Sequence, residues 1–272
     1  MSSSEDSKYG PLFTQPLEPS AGLTISDLNR YLSAIRKLDD IDSTLEEGVF
    51  LADGLAGLKV LPADSVDLVL ADPPQSPWES PDLQGKPLTL SEYYHWNQNW
   101  LKECQRILKS TGSIYLFSHW RHSGMYQALL SEVFQVQTRI TWGQMNGAAV
   151  GIKRTWENVL GDIWFATKTS HYYFRDRDPL EANFRDKLPF SNLWPEIVDS
   201  GQSKSLDAKG EKPAVILGRV IQASTTKLNW IVDPFMRNGE SGVAAKLLGR
   251  RFIGFEVNRS SLLLAMKRID QS

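Results

Sequence analysis

Two stretches of this chain hold side chains whose types and spacing could do chemistry: ADPPQSPW, from Ala71 to Trp78, and WIVDPFMRNGESGVAAKLLGRRFIGFEVN, from Trp230 to Asn258. In the first, two prolines fix the backbone after the apolar run Val66 to Ala71 and hold Asp72 outward. A carboxylate placed there, with a neighbouring backbone carbonyl, can accept both hydrogen bonds of an exocyclic NH2. That draws the nitrogen lone pair out of conjugation and toward an electrophilic methyl. The same residues also fit a proline-braced turn with Asp72 as its cap. In the second stretch Gly239 lets backbone approach a bound group closely, Gly242 with Ala244 and Ala245 lets a helix lie near a sheet, and Glu256 ends the next strand. An acid in that place can accept both hydroxyls of a ribose, although an ordinary βαβ crossover ending in a solvated acid has the same outline.

The elements that must position these residues can be read from periodicity. Ser26 caps a helix whose stripe is Leu28, Tyr31, Leu32, Ile35 and Leu38. Buried strands are expected at Gly48 to Asp53 and Ser65 to Ala71, each opening into a loop at an acidic or small residue. A helix from about Ser91 to Leu108 puts Trp100, Leu101, Cys104, Ile107 and Leu108 on one side, with Gly112 ending it before a strand from Ser113 to Phe117. Strands at Val136 to Trp142 and Val159 to Phe165 flank a glycine-spaced loop, GQMNGAAVGIKR. Residues 171–190 and 199–212 read as surface connections. A helix starting at Pro213 and running to about Ala223, a strand from Trp230 to Phe235, a helix from Ser241 closed by Gly249 and a strand from Arg251 to Val257 complete the alternation. Strands alternating with helices imply an α/β, Rossmann-like, doubly wound and mostly parallel sheet, with ligands at the carboxyl ends of its strands.

Residues 1–23 are rich in Ser, Pro and Gly and read as a flexible arm, leaving 24–272 as one domain. A 272-residue chain that is 41% hydrophobic can build one sizeable core. Its net charge of -2 excludes a global positive field, so any nucleic-acid contact needs a local basic face. The single Cys104 excludes an internal disulfide and reads as a small buried hydrophobe in a reducing compartment. With no signal-peptide core and no apolar run long enough to span a bilayer, the expectation is a soluble, cytoplasmic protein without a membrane partner. His119 and His122 stand three apart with no Cys or third ligand nearby, so no metal is expected.

From about Gly48 to Ile269 the sequence resembles the β class of DNA amino-methyltransferases, in which the catalytic loop precedes the cofactor-binding unit. The resemblance rests on FLADGLAGLKVLPADSVDLVLADPP and on VDPFMRNGESGVAAKLLGRRFIGFEVN. It implies S-adenosylmethionine (SAM) as cofactor, DNA as partner, and a homodimer as one possible assembly. It further implies that Asp53 lies near the cofactor's adenine, that Asp233, Phe235, Gly239, Ser241 and Asn258 line its pocket, and that Glu256 holds its ribose. Lys212, in the tripeptide Glu211-Lys212-Pro213, is a candidate for the cofactor's carboxylate, or else a solvated lysine before a helix. Asp72, Pro73 and Pro74 would face the target amine, and Asp at the head of the loop favours N6 of adenine over N4 of cytosine.

The chain departs from the family in three places. The catalytic tetrapeptide ends in Gln75 where an aromatic residue would stack on the extruded base, and Trp78 is the candidate substitute. The cofactor turn reads Arg237, Asn238, Gly239, Glu240, Ser241 in place of Gly-x-Gly-Thr-Thr, and the His-Pro before the Lys-Pro is absent. These departures support a rival reading, a binding module that kept the fold and lost turnover. A nicotinamide-dependent oxidoreductase is disfavoured because the turn lacks spaced glycines for a pyrophosphate. Target recognition is expected over 139–212, above all at Arg139, Trp142, Lys153 and Arg154, a segment that also fits a strand and a loose glycine loop.

Overall fold

The computed structural model describes residues 22–41, 44–77, 86–143, 160–175, 191–194 and 214–272. Among the described residues eight strands form one sheet: β1 (Gly48–Leu51), β2 (Val66–Ala71), β3 (Leu108–Ser118), β4 (Gln135–Gly143), β5 (Leu160–Thr167), β6 (Leu193–Trp194), β7 (Trp230–Asp233) and β8 (Arg251–Glu256). Their order across the sheet is β1-β8-β7-β2-β3-β5-β4-β6. Neighbours pair in parallel except β3 with β5 and β4 with β5, so β5 alone runs against the rest. The helices are α1 (Ile25–Leu32), α2 (Gly54–Val60), α3 (Leu90–Ile107), α4 (Trp120–Val133), α5 (Ala214–Ser224), α6 (Glu240–Leu247) and α7 (Arg259–Asp270). The expected doubly wound, mostly parallel sheet is the observed architecture.

β2 shows why an unbroken apolar run suits the centre of such a sheet. Val69 and Ala71 point into one core with Leu58, Trp100, Leu101 and Tyr126 from α2, α3 and α4. Leu68 and Leu70 point into the other, with Ile216, Ala245 and Leu262 from α5, α6 and α7. Burying each leucine contributes about 1.5 to 3 kcal/mol. Asp67 ties the strand to its neighbours, accepting from the backbone N–H of Trp230 at 2.8 Å and from the Lys109 ammonium at 2.7 Å.

Several boundaries differ from the sequence reading. α1 starts after Thr24, which forms a capping box with Asp27, and it stops at Leu32. Beyond it Arg36 bridges to Phe50 in strand fashion, so Leu38 lies in a short 3-10 turn, Leu38–Asp40, and not on the helix. Gly112 does not end α3. The helix gives way at Ile107 directly to β3, whose pairing with β2 slips between Leu108 and Ser113. α2, α4 and α7 were not anticipated. Leu23, assigned to the arm, is buried with Tyr31 and Leu263. Among the described residues no helix is long and apolar enough to cross a membrane.

Candidate functional site

Four adjacent parallel strands, β1, β8, β7 and β2, end at one edge of the sheet. In register, Leu51 is level with Glu256, Asp233 with Gly254, and Val69 with Val232. Asp53, Glu256, Asp233 and Asp72 therefore leave the sheet side by side although they span most of the sequence. This is the edge at which open α/β sheets bind ligands.

The turn after β7 is held by two buried acids. Asp233 is 6% exposed and accepts from the Phe235 backbone N–H at 2.9 Å and the Ser241 hydroxyl at 2.5 Å. Burial, with a smaller contribution from the nearby Asp72 carboxylate, raises its pKa to about 7 against the lowering effect of those two bonds. Glu256, 9% exposed, accepts from the backbone N–H of Arg237 at 2.9 Å and of Asn258 at 2.6 Å. Burial also raises its pKa, opposed by those backbone bonds. Arg237 adopts φ 52°, a conformation costing roughly 1 kcal/mol relative to glycine, and its N–H bond to a carboxylate offsets that cost. Gly239, at φ 83°, opens α6. A side chain there would put Cβ 2.7 Å from the methyl of Ala265. α2 presses equally close from the other side, since a Cβ on Gly54 would lie 2.2 Å from the Pro234 carbonyl oxygen.

A cleft opens between this turn and the end of β2, walled by Asp72, Phe117, Leu217, Asp233, Phe235 and Arg237 among others. Phe235 is fixed from behind by Trp96 and Trp100, with ring centroids 5.6 and 5.2 Å away. Acids beside aromatic and aliphatic walls suit a ligand that is cationic at one point and apolar elsewhere. No group of three or more potential metal ligands occurs among the described residues.

Across the cleft the Asp72-Pro73-Pro74-Gln75 turn is held from several sides. The Pro74 carbonyl accepts from the Tyr93 hydroxyl at 2.6 Å, and Tyr93 meets Tyr126 at 3.0 Å. Gln75 Nε2 lies 3.0 Å from Asp72 Oδ1, 2.8 Å from the Pro73 carbonyl oxygen and 3.2 Å from the Phe117 carbonyl oxygen, three acceptors that share its two N–H groups. Its Oε1 accepts from the His119 backbone N–H at 2.7 Å. The Arg237 guanidinium lies 3.7 Å from Asp72 Oδ2, linking the two turns. Tyr93, Tyr126, Phe117 and the guanidinium of Arg237 escaped the sequence reading. Tyr93 could have been found from its place on the amphipathic face of α3, whereas Phe117 and Arg237 join Asp72 in the cleft, and Tyr126 meets Tyr93, only through the fold.

The remaining assigned residues fall out differently. Asp53 accepts from Ala56 N at 2.9 Å and caps α2, and Asn258 accepts from Ser261 N at 3.0 Å and caps α7. Both stand at the binding edge while their side chains start helices. Arg139 is exposed and 3.8 Å from Asp162. Trp142 is only 5% exposed, packed among Ile140, Ile163 and their neighbours, so it belongs to the core and not to the recognition surface expected of it. His119 caps α4 and His122 lies edge-on to Tyr93. Trp78, Lys153, Arg154 and Lys212 lie outside the described residues.

A family model described as DNA methylase matches residues 66–267. The sequence is 27% identical over 245 residues to the Type II methyltransferase M2.LlaDCHI of Lactococcus lactis subsp. cremoris, covering 81% of this chain and 88% of that one. It is 26% identical over 244 residues to the DNA adenine methyltransferase YhdJ of Escherichia coli (strain K12), covering 80% and 81%. Among solved structures it resembles the M1.HpyAVI-SAM complex with a TM-score of 0.58 and 21% identity, covering 81% of this chain and 98% of that one. It resembles the PvuII cytosine-N4-specific DNA methyltransferase with a TM-score of 0.67 and 19% identity, covering 83% and 87%. At such identities the structural likeness establishes the fold.

Proposed function

Because the chain belongs to the DNA methylase family, whose model spans residues 66–267, we propose that it transfers the methyl group of SAM to the exocyclic N6 amine of adenine in DNA, with the base extruded into the cleft. The observation that carries this reading is the meeting, at one sheet edge, of an Asp-Pro-Pro acceptor turn with a cleft walled by Asp233 and Phe235. SAM, when bound, supplies the electrophilic methyl. The protein supplies placement and hydrogen bonding. Asp72 and the Pro73 carbonyl accept the two N–H bonds of the target amine and aim its lone pair. The methylated amine sheds its extra proton after transfer, so no catalytic His or Cys is demanded.

On the cofactor side, Glu256 accepts from the ribose hydroxyls, Asp233 balances the cofactor's positive charge, Ser241 holds Asp233 in place, and Phe235 forms an apolar wall. Asp53 stands toward the adenine, and Lys212 is assigned to the carboxylate. Arg139, Lys153 and Arg154 are assigned to the DNA backbone, which positions the duplex without reading its sequence. Adenine is favoured over cytosine by Asp72 at the head of the loop and by the likeness to a DNA adenine methyltransferase. The test is Asp72→Ala. Methyl transfer to DNA is expected to disappear while SAM affinity stays within a few fold, and a mutant with unchanged turnover would make the Asp-Pro-Pro turn purely structural.

A further inference from the structure

Gln75 cannot stack as an aromatic residue would, but its carboxamide does something an aromatic ring cannot. Its NH2 group sits on the acceptor pair of the reaction proposed above: Nε2 is 3.0 Å from Asp72 Oδ1 and 2.8 Å from the Pro73 carbonyl. A primary carboxamide nitrogen is planar, carries two N–H donors and is conjugated to its neighbour, as is the exocyclic amine of adenine. Two further contacts fix the group in place: the Phe117 carbonyl oxygen, 3.2 Å from Nε2, shares one of its two N–H groups, and the His119 backbone N–H donates to Oε1 at 2.7 Å. All four partners belong to the Asp-Pro-Pro turn or to the end of β3 and the start of α4, so the side chain closes the gap between adjacent strand ends.

We propose that the Gln75 carboxamide is an internal stand-in for the target amine, occupying the acceptor pair of the DNA-free protein and leaving it only when a base enters. The inference rests on the amine-methylating reading. Donation from His119 to Oε1 strengthens the conjugation of the amide, so the nitrogen held on the acceptors keeps its lone pair delocalised and is a poor nucleophile. Asp72 is meanwhile held in its working orientation by Gln75 on Oδ1, with Arg237 3.7 Å from Oδ2. An incoming base must therefore present an NH2 group that replaces the carboxamide on both acceptors, which excludes bases without an exocyclic amine.

Two measurements on the full chain test this. In the first, steady-state transfer from tritiated SAM to unmethylated genomic DNA is compared for the wild type, Gln75→Ala and Gln75→Leu. Removing the carboxamide should raise kcat/KM about five- to fiftyfold, mainly through KM for DNA, the equivalent of one or two hydrogen bonds no longer displaced. Where the wild type methylates DNA, a loss of activity, or no change in either variant, overturns the proposal. The second measurement is independent of turnover: the Gln75 side-chain NH2 resonance, identified by its disappearance in Gln75→Ala, should exchange with solvent at least about tenfold more slowly than that of an exposed glutamine, and Asp72→Ala should restore fast exchange. Fast exchange in the wild type refutes occupancy of the pair. Slow, Asp72-dependent exchange in a protein that methylates no DNA in any variant would support occupancy and refute the amine-methylating reading, so the two failures are told apart.

Discussion

Replacing Glu256 with glutamine separates bracing of the cofactor turn from binding of the cofactor. Both carboxylate oxygens accept backbone N–H groups, from Arg237 at 2.9 Å and Asn258 at 2.6 Å. A glutamine has one oxygen, so in either orientation its NH2 group faces one of those donors. One charge-assisted bond is lost and a donor-donor contact is created, at a cost of about 2 to 3 kcal/mol after the recovered desolvation of a buried charge is set against it. For a chain of this size that lowers Tm by roughly 4 to 12 °C. The Arg237 N–H bond supports a left-handed residue, so the turn between Phe235 and Gly239 should loosen first. Loss of the negative charge at the ribose should weaken SAM about thirty- to a hundredfold. Thermal melts without ligand, followed by calorimetric titration with SAM at a temperature where the variant is folded, measure the two effects separately. A Tm within about 1 °C of wild type would refute the bracing role. A clear drop in Tm with unchanged affinity would remove Glu256 from the ribose.

Asp233 makes cofactor binding pH-dependent. Its raised pKa, about 7, favours the neutral acid in the ligand-free protein, so its stabilising contribution is fully present below the ordinary value of 3.8 and is lost as pH rises through about 7. A cationic cofactor favours the ionised form. SAM affinity should therefore rise with pH up to about 7 and then level off, with protons released on binding at the acid end, and Asp233→Asn should flatten that slope in calorimetry across two buffers. Tyr93→Phe removes the hydroxyl that holds the Pro74 carbonyl and should cost about 1 to 3 kcal/mol of stability in denaturant titration and lower kcat while leaving SAM affinity unchanged. Trp78→Ala should lower kcat/KM at least about tenfold if its indole takes over base stacking, and an active enzyme indifferent to the change would eliminate that role.

Much of the fold was legible because its strands are short, apolar and separated by turn residues. β2, α6 and β8 stand within a residue or two of where periodicity puts them, and the acids that end the parallel strands could be picked out before their neighbours were known. The unforeseen helices have local reasons. α2 contains two glycines in seven residues, GLAGLKV, and its helicity comes from packing, with Gly57 against the ring of Phe255. In α4 the stripe of Ser123, Tyr126, Leu129 and Leu130 is present but begins among polar residues and is interrupted by Gly124. Trp142 was misassigned although strand alternation places it with Ile140 on the inward face of β4, Arg139 and Thr141 facing out. Gln75 was recognised as a missing ring, but not as a hydrogen-bonding group. Two of its four bonds come from Phe117 and His119, more than forty residues away, and only the pairing of β2 with β3 brings them there.

The chemical identity of the methylated nucleoside tests the transfer to adenine most directly. Wild type and Asp72→Ala would each be incubated with tritiated SAM and DNA of mixed sequence, the DNA digested to nucleosides, and the label separated by chromatography. Label is expected in N6-methyl-deoxyadenosine from the wild type and none from the variant. Label on cytosine would contradict the choice of base, and label in neither base, or equal label from Asp72→Ala, would contradict the reaction itself.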